Sequence, residues 1–531
     1  MFAEQRIPYS QTNAFSKIAL DYLKGDEKLR SFYAESPTLN GIAETIKQKQ
    51  VQIIDRNTLV RTLLEQYDHI QANTEVINNI KKLANDNCFT ICTAHQPNLF
   101  TGPLYFIYKI LHTIKLAKVL QQELTGFDFV PVYYMGSEDA DFAELNHTYV
   151  DGKKIEWKKE QKGAVGRMVV DKSLVQLIDE LEGQLIVEKH GAEVIDLLRS
   201  CYSAGKDIQT ATFELVNHLY GEYGLVVLIP DHPAYKAQMI SLFDQELFQN
   251  TSANIVQQTS KKLEEHYNVQ AHPREINLFY LKGDIRERII RKEESFLVHN
   301  TTLSFSADEI RAELSNHPER FSPNVILRGL FQETILPNLV FIGGGGELAY
   351  WLQLKDLFEY YKVVYPVLVL RNSFLILEKK WKQKITSLDL SIPDIFKSPV
   401  DLMNLVVERK STNQVSLNSN FQKANAFYND LKTQAVAIDP TLGKHVAALE
   451  ARSLRYLQEL EKKMLRAEKR KYTDEERGIQ HLKSALFPAN GLQERKENFS
   501  SFYAKWGKTF IDQLYKHSLA LEQEFMVLIE S

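Results

Sequence analysis

Between Phe89 and Leu104 the chain reads as a β-strand, a polar turn and a helix start in one pass. An apolar run through Ile91 and Cys92 leads into His95, Gln96, Asn98, Thr101 and Gly102, and then Pro103-Leu104. A second apolar, β-prone run from Phe129 to Met135 enters the turn Gly136-Ser137-Glu138-Asp139-Ala140-Asp141. Between the two, Leu104, Ile107, Ile110, Leu111, Ile114 and Ala117 recur at helical spacing with Lys109, Lys115 and Lys118 interleaved, as in an amphipathic crossover helix. A strand, a helix and a second strand in this order restrict the chain to an α/β fold built on a parallel sheet. In such sheets ligands collect beyond the carboxyl ends of the strands, where helix N-termini present free N–H groups. His95, Gln96, Asn98 and Thr101 are expected in that crevice, with the acids of the second turn beside them.

At 531 residues the chain exceeds one compact core, and a prior of about 150 residues per domain gives three or four units. Lys and Arg total 64 against 68 Asp and Glu, a formal net charge of -4, so there is no bulk electrostatic case for nucleic acid. Cys88, Cys92 and Cys201 form no CxxC pair, which points to a reducing compartment and away from a disulfide framework or structural zinc. The N-terminus, Met1 to Pro8, lacks a basic region followed by an apolar core, and no apolar run approaches the ~20 residues of a membrane span. The expectation is a soluble, unexported, cytoplasmic protein.

The layout expected from the patterning is a core interrupted twice. Residues 1–85 read as an N-terminal helical segment packing on the core, and 86–150 as the first part of a Rossmann-like core. Residues 151–220 form an insertion that includes a hairpin-like piece around Tyr149–Trp157. The core continues over 221–260 with the strand Leu225–Ile229. A second, smaller α+β insertion over 261–320 holds Ile276–Tyr280 and the Arg-rich stretch with Arg286, Arg288 and Arg291. The last part of the core, 321–380, carries the strand Leu339–Ile342, a helix from Glu347 to Phe358 and the strand Val363–Leu370. Residues 381–531 read as a helical, coiled-coil domain. There Phe421, Ala424, Tyr428, Leu431, Ala435 and Ile438 are spaced by three and four, Asp439–Gly443 breaks the helix, and Leu457, Leu460, Met464 and Ala467 resume the seam. The resulting antiparallel hairpin is either a plain helical domain on the core or a dimerisation arm.

Four groups of residues can carry chemistry. Gly343 to Gly346 is not a Walker A loop, because Glu347-Leu348 follow instead of Lys-Ser/Thr. A GxGxxA reading exists at Gly344, Gly346 and Ala349, yet the next strand ends in Arg371 rather than in an acid suited to a ribose hydroxyl. The loop either lets a nucleotide or substrate approach the backbone or is a tight strand-to-helix turn. Glu138, Asp139 and Asp141 can hold an ammonium, coordinate Mg²⁺ or act as a base, with a solvated acidic turn as the alternative. His95 can contact an anion or transfer a proton, or be a hydrogen-bonded structural residue; His147 and His232 lie in loops with fewer companions. Within Ser322–Glu333, Arg328 suits a carboxylate, or pairs with Glu333. No HExxH or GxSxG occurs, which disfavours zinc and serine hydrolases.

Taken in order, several motifs resemble the cysteine-adding enzymes of bacillithiol biosynthesis. They are Thr101-Gly102-Pro103-Leu104-Tyr105 with Lys109-Ile110, Gly136 to Phe142 with Glu144 and Asn146-His147, and Ser322-Pro323-Asn324 through Arg328. Gly346-Glu347-Leu348-Ala349-Tyr350-Trp351 and Leu492-Gln493-Glu494-Arg495 extend the resemblance over nearly the whole chain. Departures occur at Ala94-His95-Gln96-Pro97, where the family pattern is Gly-Gln-Gln, and at Gly344-Gly345-Gly346, where it is Gly-Pro-Gly. The resemblance implies a fold similar to class I synthetases and nucleotidyltransferases, with a Rossmann-like core, two inserted connective subdomains and a coiled coil that forms a homodimer. It implies a cytoplasmic ligase joining cysteine to the amine of glucosaminyl-malate. From the charge balance, the apolar runs and the ligand spacing, no nucleic-acid partner, no membrane and no metal site are expected.

Amide formation from a free carboxylate requires activation, for which ATP (or ADP), with Mg²⁺, is the expected cofactor. On this reading His95, Glu138, Asp139 and Asp141 are catalytic, the acids holding or deprotonating the amine. Gln96, Asn98, Thr101, Gly102, Asn324, Arg328 and Arg371 bind substrate, the two arginines receiving the malate carboxylates. Gly344, Gly345, Gly346 and Arg495 bind the nucleotide, a surface salt bridge being the other account of Arg495. The rival from another class is a non-catalytic sugar- or nucleotide-binding scaffold assembling through its coiled coil. A third reading is an aminoacyl- or nucleotidyl-transferase with a different acceptor.

Overall fold

The strand Cys88–His95 is buried on both faces, and alternate residues enter two separate cores: Phe89 and Ile91 on one side, Cys88, Cys92 and Ala94 on the other. That double burial is what a parallel sheet covered by helices demands. In a computed structural model that describes residues 2–413 and 416–531, this strand is the middle one of five. The order across the sheet is Val367–Leu370, Asn338–Gly343, Cys88–His95, Asp128–Met135 and Val226–Leu228, all parallel. The expected crossover helix spans Tyr105–Glu123. Met1, Gln414 and Val415 lie outside the described residues, and with them the first residue of the N-terminal reading and two residues of the 381–531 segment.

Two further sheets surround this core. The second is antiparallel, in the order Ser304–Phe305, Ser295–Val298, Ile285–Lys292, Leu278–Lys282 and Phe321–Pro323; it is the smaller α+β insertion, and it carries the Arg-rich stretch. The third joins the ends of the chain. Phe2–Pro8 pairs antiparallel with Glu524–Glu530, which pairs parallel with Phe374–Leu377. Neither Phe2–Pro8 nor Glu524–Glu530 reads as a strand among residues otherwise patterned for helices, because each finds its partner more than 500 residues away in sequence.

The helix expected from Glu347 to Phe358 is two helices, Gly345–Trp351 and Lys355–Tyr361. Gln353 sits between them, fully buried. Its Oε1 accepts the Gln270 and Ala271 N–H groups, and its Nε2 donates to Ser260 Oγ and the Ala271 carbonyl. Satisfying four polar groups with one buried side chain fixes the break. The strand expected from Val363 is confined to Val367–Leu370.

The C-terminal hairpin consists of Asn418–Ile438 and Leu442–Lys469. Phe421, Ala424, Tyr428, Leu431 and Ala435 are half-buried along the seam, and Tyr428 Oη and Ser453 Oγ lie 2.5 Å apart across it. Phe427, Leu449, Tyr456 and Leu460 remain exposed. No helix among the described residues is long and apolar enough to cross a membrane.

Candidate active site

From the central strand Cys88–His95 the chain runs outward to one side through Asp128–Met135 and Val226–Leu228. It returns on the other side through Asn338–Gly343. The order therefore reverses between Cys88–His95 and Asn338–Gly343, where the loops after neighbouring parallel strands diverge and leave a crevice. Register puts His95 opposite Met135 and aligns Thr93 with Ile342, so His95, the Gly136 turn and the Gly344 turn meet at one sheet edge. A cavity of about 900 Å³ opens there. His95, Gln96, Glu138, Asp139, Asn324, Arg328, Gly344, Gly345, Gly346, Arg371 and Arg495 all line it.

His95 ends its strand with its ring edge-on to Tyr105 and tilted against Phe106. Its backbone carbonyl accepts Tyr133 Oη–H at 3.1 Å and the Gly136 N–H at 2.8 Å, while its Nε2 is buried with no hydrogen-bond partner among the described residues. Burial first, then the charges of Lys109 and Arg371, hold its pKa well below the usual histidine value, so the ring is neutral at physiological pH. Gln96 Nε2 donates to Asp139 Oδ2 at 3.0 Å, joining the two strand-end turns.

Glu138 is almost wholly buried and pairs at 2.5 Å with Lys236, which also donates to the Phe321 carbonyl at 2.7 Å. Burial raises the Glu138 pKa and Lys236 opposes the rise. Lys236 thus ties the core to the last strand of the insertion, and nothing in the local pattern around Tyr235 and Met239 announces it.

At the glycine turn, the Gly344 N–H donates to Glu347 Oε2 at 2.8 Å, and Glu347 pairs with Lys109, whose Nζ also donates to the Ala94 carbonyl at 2.9 Å. Lys109 is therefore a brace between two strand ends. The short helix Gly345–Trp351 already carries an anion of its own in its first turn. A Cβ at Gly346 would meet no atom within 4 Å, so this side of the turn is open.

The helix Val325–Ile335 brings Arg328 to the cavity. Asn324 caps it, accepting the Ile326 N–H at 2.9 Å, and donates to Asn277 Oδ1 at 2.9 Å. Asn277 in turn donates its backbone and side-chain N–H groups to Glu246 Oε1 at 2.7 and 2.9 Å. Glu246 is fully buried with no cation partner among the described residues, and burial raises its pKa. Arg328 donates to Tyr350 Oη at 2.6 Å and to Gln332 Oε1 at 3.2 Å, its guanidinium lying over the rings of Tyr134 and Phe341. The alternative pair with Glu333 is absent: Glu333 accepts from Lys49, Asn338 and Gln332 instead.

Arg371 reaches the cavity with its charge already matched, donating to Glu494 Oε1 at 2.7 Å in a fully buried pair. Arg495 stands exposed at the rim and forms no salt bridge among the described residues.

Four expected site residues do not line the cavity. Asn98, Thr101 and Gly102 belong to a buried lock. Thr101 and Gly102 take φ of 71° and 65°, and Asn498 Nδ2 donates to the Phe100 and Gly102 carbonyls at 2.8 and 2.6 Å. The left-handed backbone of this turn is stabilised by a distant side chain, while Asn98 Oδ1 and Thr101 Oγ1 are buried with no hydrogen-bond partner among the described residues. Asp141 is exposed and caps the helix Phe142–Leu145 through the Glu144 N–H. His147 bonds Asn146 and His232 caps Pro233–Ala237, and neither lines the cavity.

Residues 3–372 match the N-terminal Rossmann-like domain of bacillithiol biosynthesis BshC, and residues 374–530 its C-terminal coiled-coil domain. The chain belongs to the BshC family. A Flavobacterium johnsoniae protein named "Putative cysteine ligase BshC" is 40% identical over 98% of this chain and 99% of its own. Proteins of the same name from Christiangramia forsetii and Bacillus cytotoxicus are 38% identical over 98% of both chains, and 26% identical over 94% and 95%. In this BshC-family chain the cavity is lined mainly from the Rossmann-like domain. The Arg371–Glu494 pair crosses to the coiled-coil domain, which also supplies Arg495 to the rim.

Proposed function

We propose that this chain is a cytoplasmic carbon–nitrogen ligase that joins the carboxyl group of cysteine to the amine of glucosaminyl-malate, with ATP activating the carboxylate. What supports this most is one cavity at the switch point of the sheet. It gathers from sequence-distant turns a neutral histidine, an accessible carboxylate and an arginine with no carboxylate partner among the described residues. The name that the relatives carry supports the cysteine half of the reaction.

In this reading Asp139, steadied by Gln96, receives the aminosugar's ammonium and takes one proton to leave an amine, and His95 takes the second proton through Nε2 as that amine attacks the activated carbonyl, passing it to the departing phosphate. The new C–N bond forms as the phosphate-bearing oxygen leaves. Glu138, held by Lys236, positions the turn rather than titrating. Arg328, backed by Tyr134, Phe341 and Tyr350, receives a malate carboxylate. Asn324 orients that helix. The open side of Gly344, Gly345 and Gly346 and the rim Arg495 flank the nucleotide. No three His, Cys, Asp or Glu side chains among the described residues are grouped to hold a metal; in this reading Mg²⁺ enters on the phosphates. The exposed Phe427, Leu449, Tyr456 and Leu460 of the hairpin are the surface of a homodimer.

Purified protein incubated with glucosaminyl-malate, cysteine, ATP and Mg²⁺ is expected to yield bacillithiol by mass spectrometry. Absence of product under every nucleotide and thiol-donor condition tried would overturn the reading.

A further inference from the structure

The insertion's antiparallel sheet turns one face to the cavity, and that face is cationic. Arg286 and Arg288 are two apart on the strand Ile285–Lys292, hence on the same side of the sheet. Phe279, the register partner of Arg288 on the neighbouring strand, shares that side, and the Arg286 guanidinium lies 4.1 Å from its ring centroid. All three line the cavity, with Arg274 exposed nearby. None of these arginines forms a salt bridge among the described residues; Arg286 donates only to Ser322 Oγ at 3.3 Å. Burial works against the Arg286 charge, and Asp139 and Glu138 are the acids that support it, although neither comes within salt-bridge distance. Guanidinium groups set in a wall without counter-ions await an anion from outside. A single carboxylate is served by Arg328; three clustered arginines match a multiply charged chain. The other walls offer phosphates less, since Glu347 already occupies the glycine turn and Arg371 is matched by Glu494.

The geometry points to the Arg286/Arg288 face as a polyphosphate-binding wall that holds the phosphate chain of the nucleotide beside Asp139. The inference rests on the proposed use of ATP for its biological ligand. Its shared chemistry with a dicarboxylate is resolved by using both as probes.

Isothermal titration calorimetry of the full-length protein with inorganic tripolyphosphate, and separately with malate, tests it. Wild-type protein is expected to bind tripolyphosphate with a strong salt dependence. R286Q and R288Q should each weaken that binding about tenfold or more, and R286K less than R286Q. R291Q, on the opposite side of the same strand, should leave it unchanged, and malate binding should move less than twofold in all four. If R286Q melts early, R288Q alone decides. Unaltered tripolyphosphate binding in the variants, no binding by the wild type, or a loss confined to malate would overturn the wall. Loss of tripolyphosphate binding in the variants of a protein that makes no ATP-dependent product would keep the wall and sink the ligase reading.

Discussion

Two walls of one cavity treat charge in opposite ways. On the sheet edge every deeply buried ion has its partner inside the chain: Glu138 with Lys236, Lys109 with Glu347, Arg371 with Glu494. On the insertion and the Arg328 helix, Arg286, Arg288 and Arg328 have no carboxylate partner among the described residues. A buried pair costs nearly as much desolvation as its attraction returns, so its use lies in holding geometry. An unpaired guanidinium at a cavity wall is stabilised only when an anion arrives. The first wall therefore sets positions, and the second meets substrate.

The sharpest way to break this contrast is Lys236→Met. It leaves Glu138 buried without its cation, and the expected loss is about 3–5 kcal/mol of stability, read as a lower melting temperature. The double variant K236M/E138Q should recover most of it. Equal melting of K236M and wild type would remove the positioning role of the first wall.

Glu497 shows the cost of a buried acid with no salt-bridge partner among the described residues. Burial, opposed by the Gly152 N–H, pushes its pKa up to about 7 from an ordinary 4.5. The folded state therefore favours the protonated form, and this group's penalty on stability is absent below pH 4.5 and grows until pH exceeds 7. Glu497→Gln should stabilise the protein by up to about 3 kcal/mol at pH 8 and by nothing measurable at pH 4. A melting-temperature difference of the same size at both pH values would contradict it.

On the second wall, Arg328→Gln should leave the melting temperature close to wild type while raising KM for the aminosugar acid about tenfold to a hundredfold. Steady-state kinetics with each substrate varied would locate the change, and a lower kcat at unchanged KM would argue against a binding role. The smallest effect belongs to Asp141→Ala. Loss of its helix cap should cost about 1 kcal/mol, with the rate of product formation within twofold of wild type.

What was legible in the chain was what is local. The run from Phe89 to His95, the crossover helix and the acidic turn of Glu138 and Asp139 announce themselves within about 50 residues, because periodicity and turn composition act over that range. Asn98, Thr101 and Gly102 were legible as a special turn and illegible as to purpose. Such a turn reads the same whether its backbone is held by a ligand or, as here, by the side chain of Asn498 almost 400 residues on. Lys236 and Glu246 gave no signal at all, being charged residues in largely apolar helices whose partners, Glu138 and Asn277, come from other elements.

By itself, then, the order of residues determined a parallel α/β core, a helical hairpin near the far end and a set of strand-end turns rich in chemistry, since each follows from side-chain periodicity along neighbouring residues. Only the tertiary structure decided which of those turns share a cavity, which charges are neutralised in pairs and which arginines stand free. Those outcomes depend on distances between segments hundreds of residues apart, set by the order of strands across the sheet and by where the insertion's sheet packs over its edge.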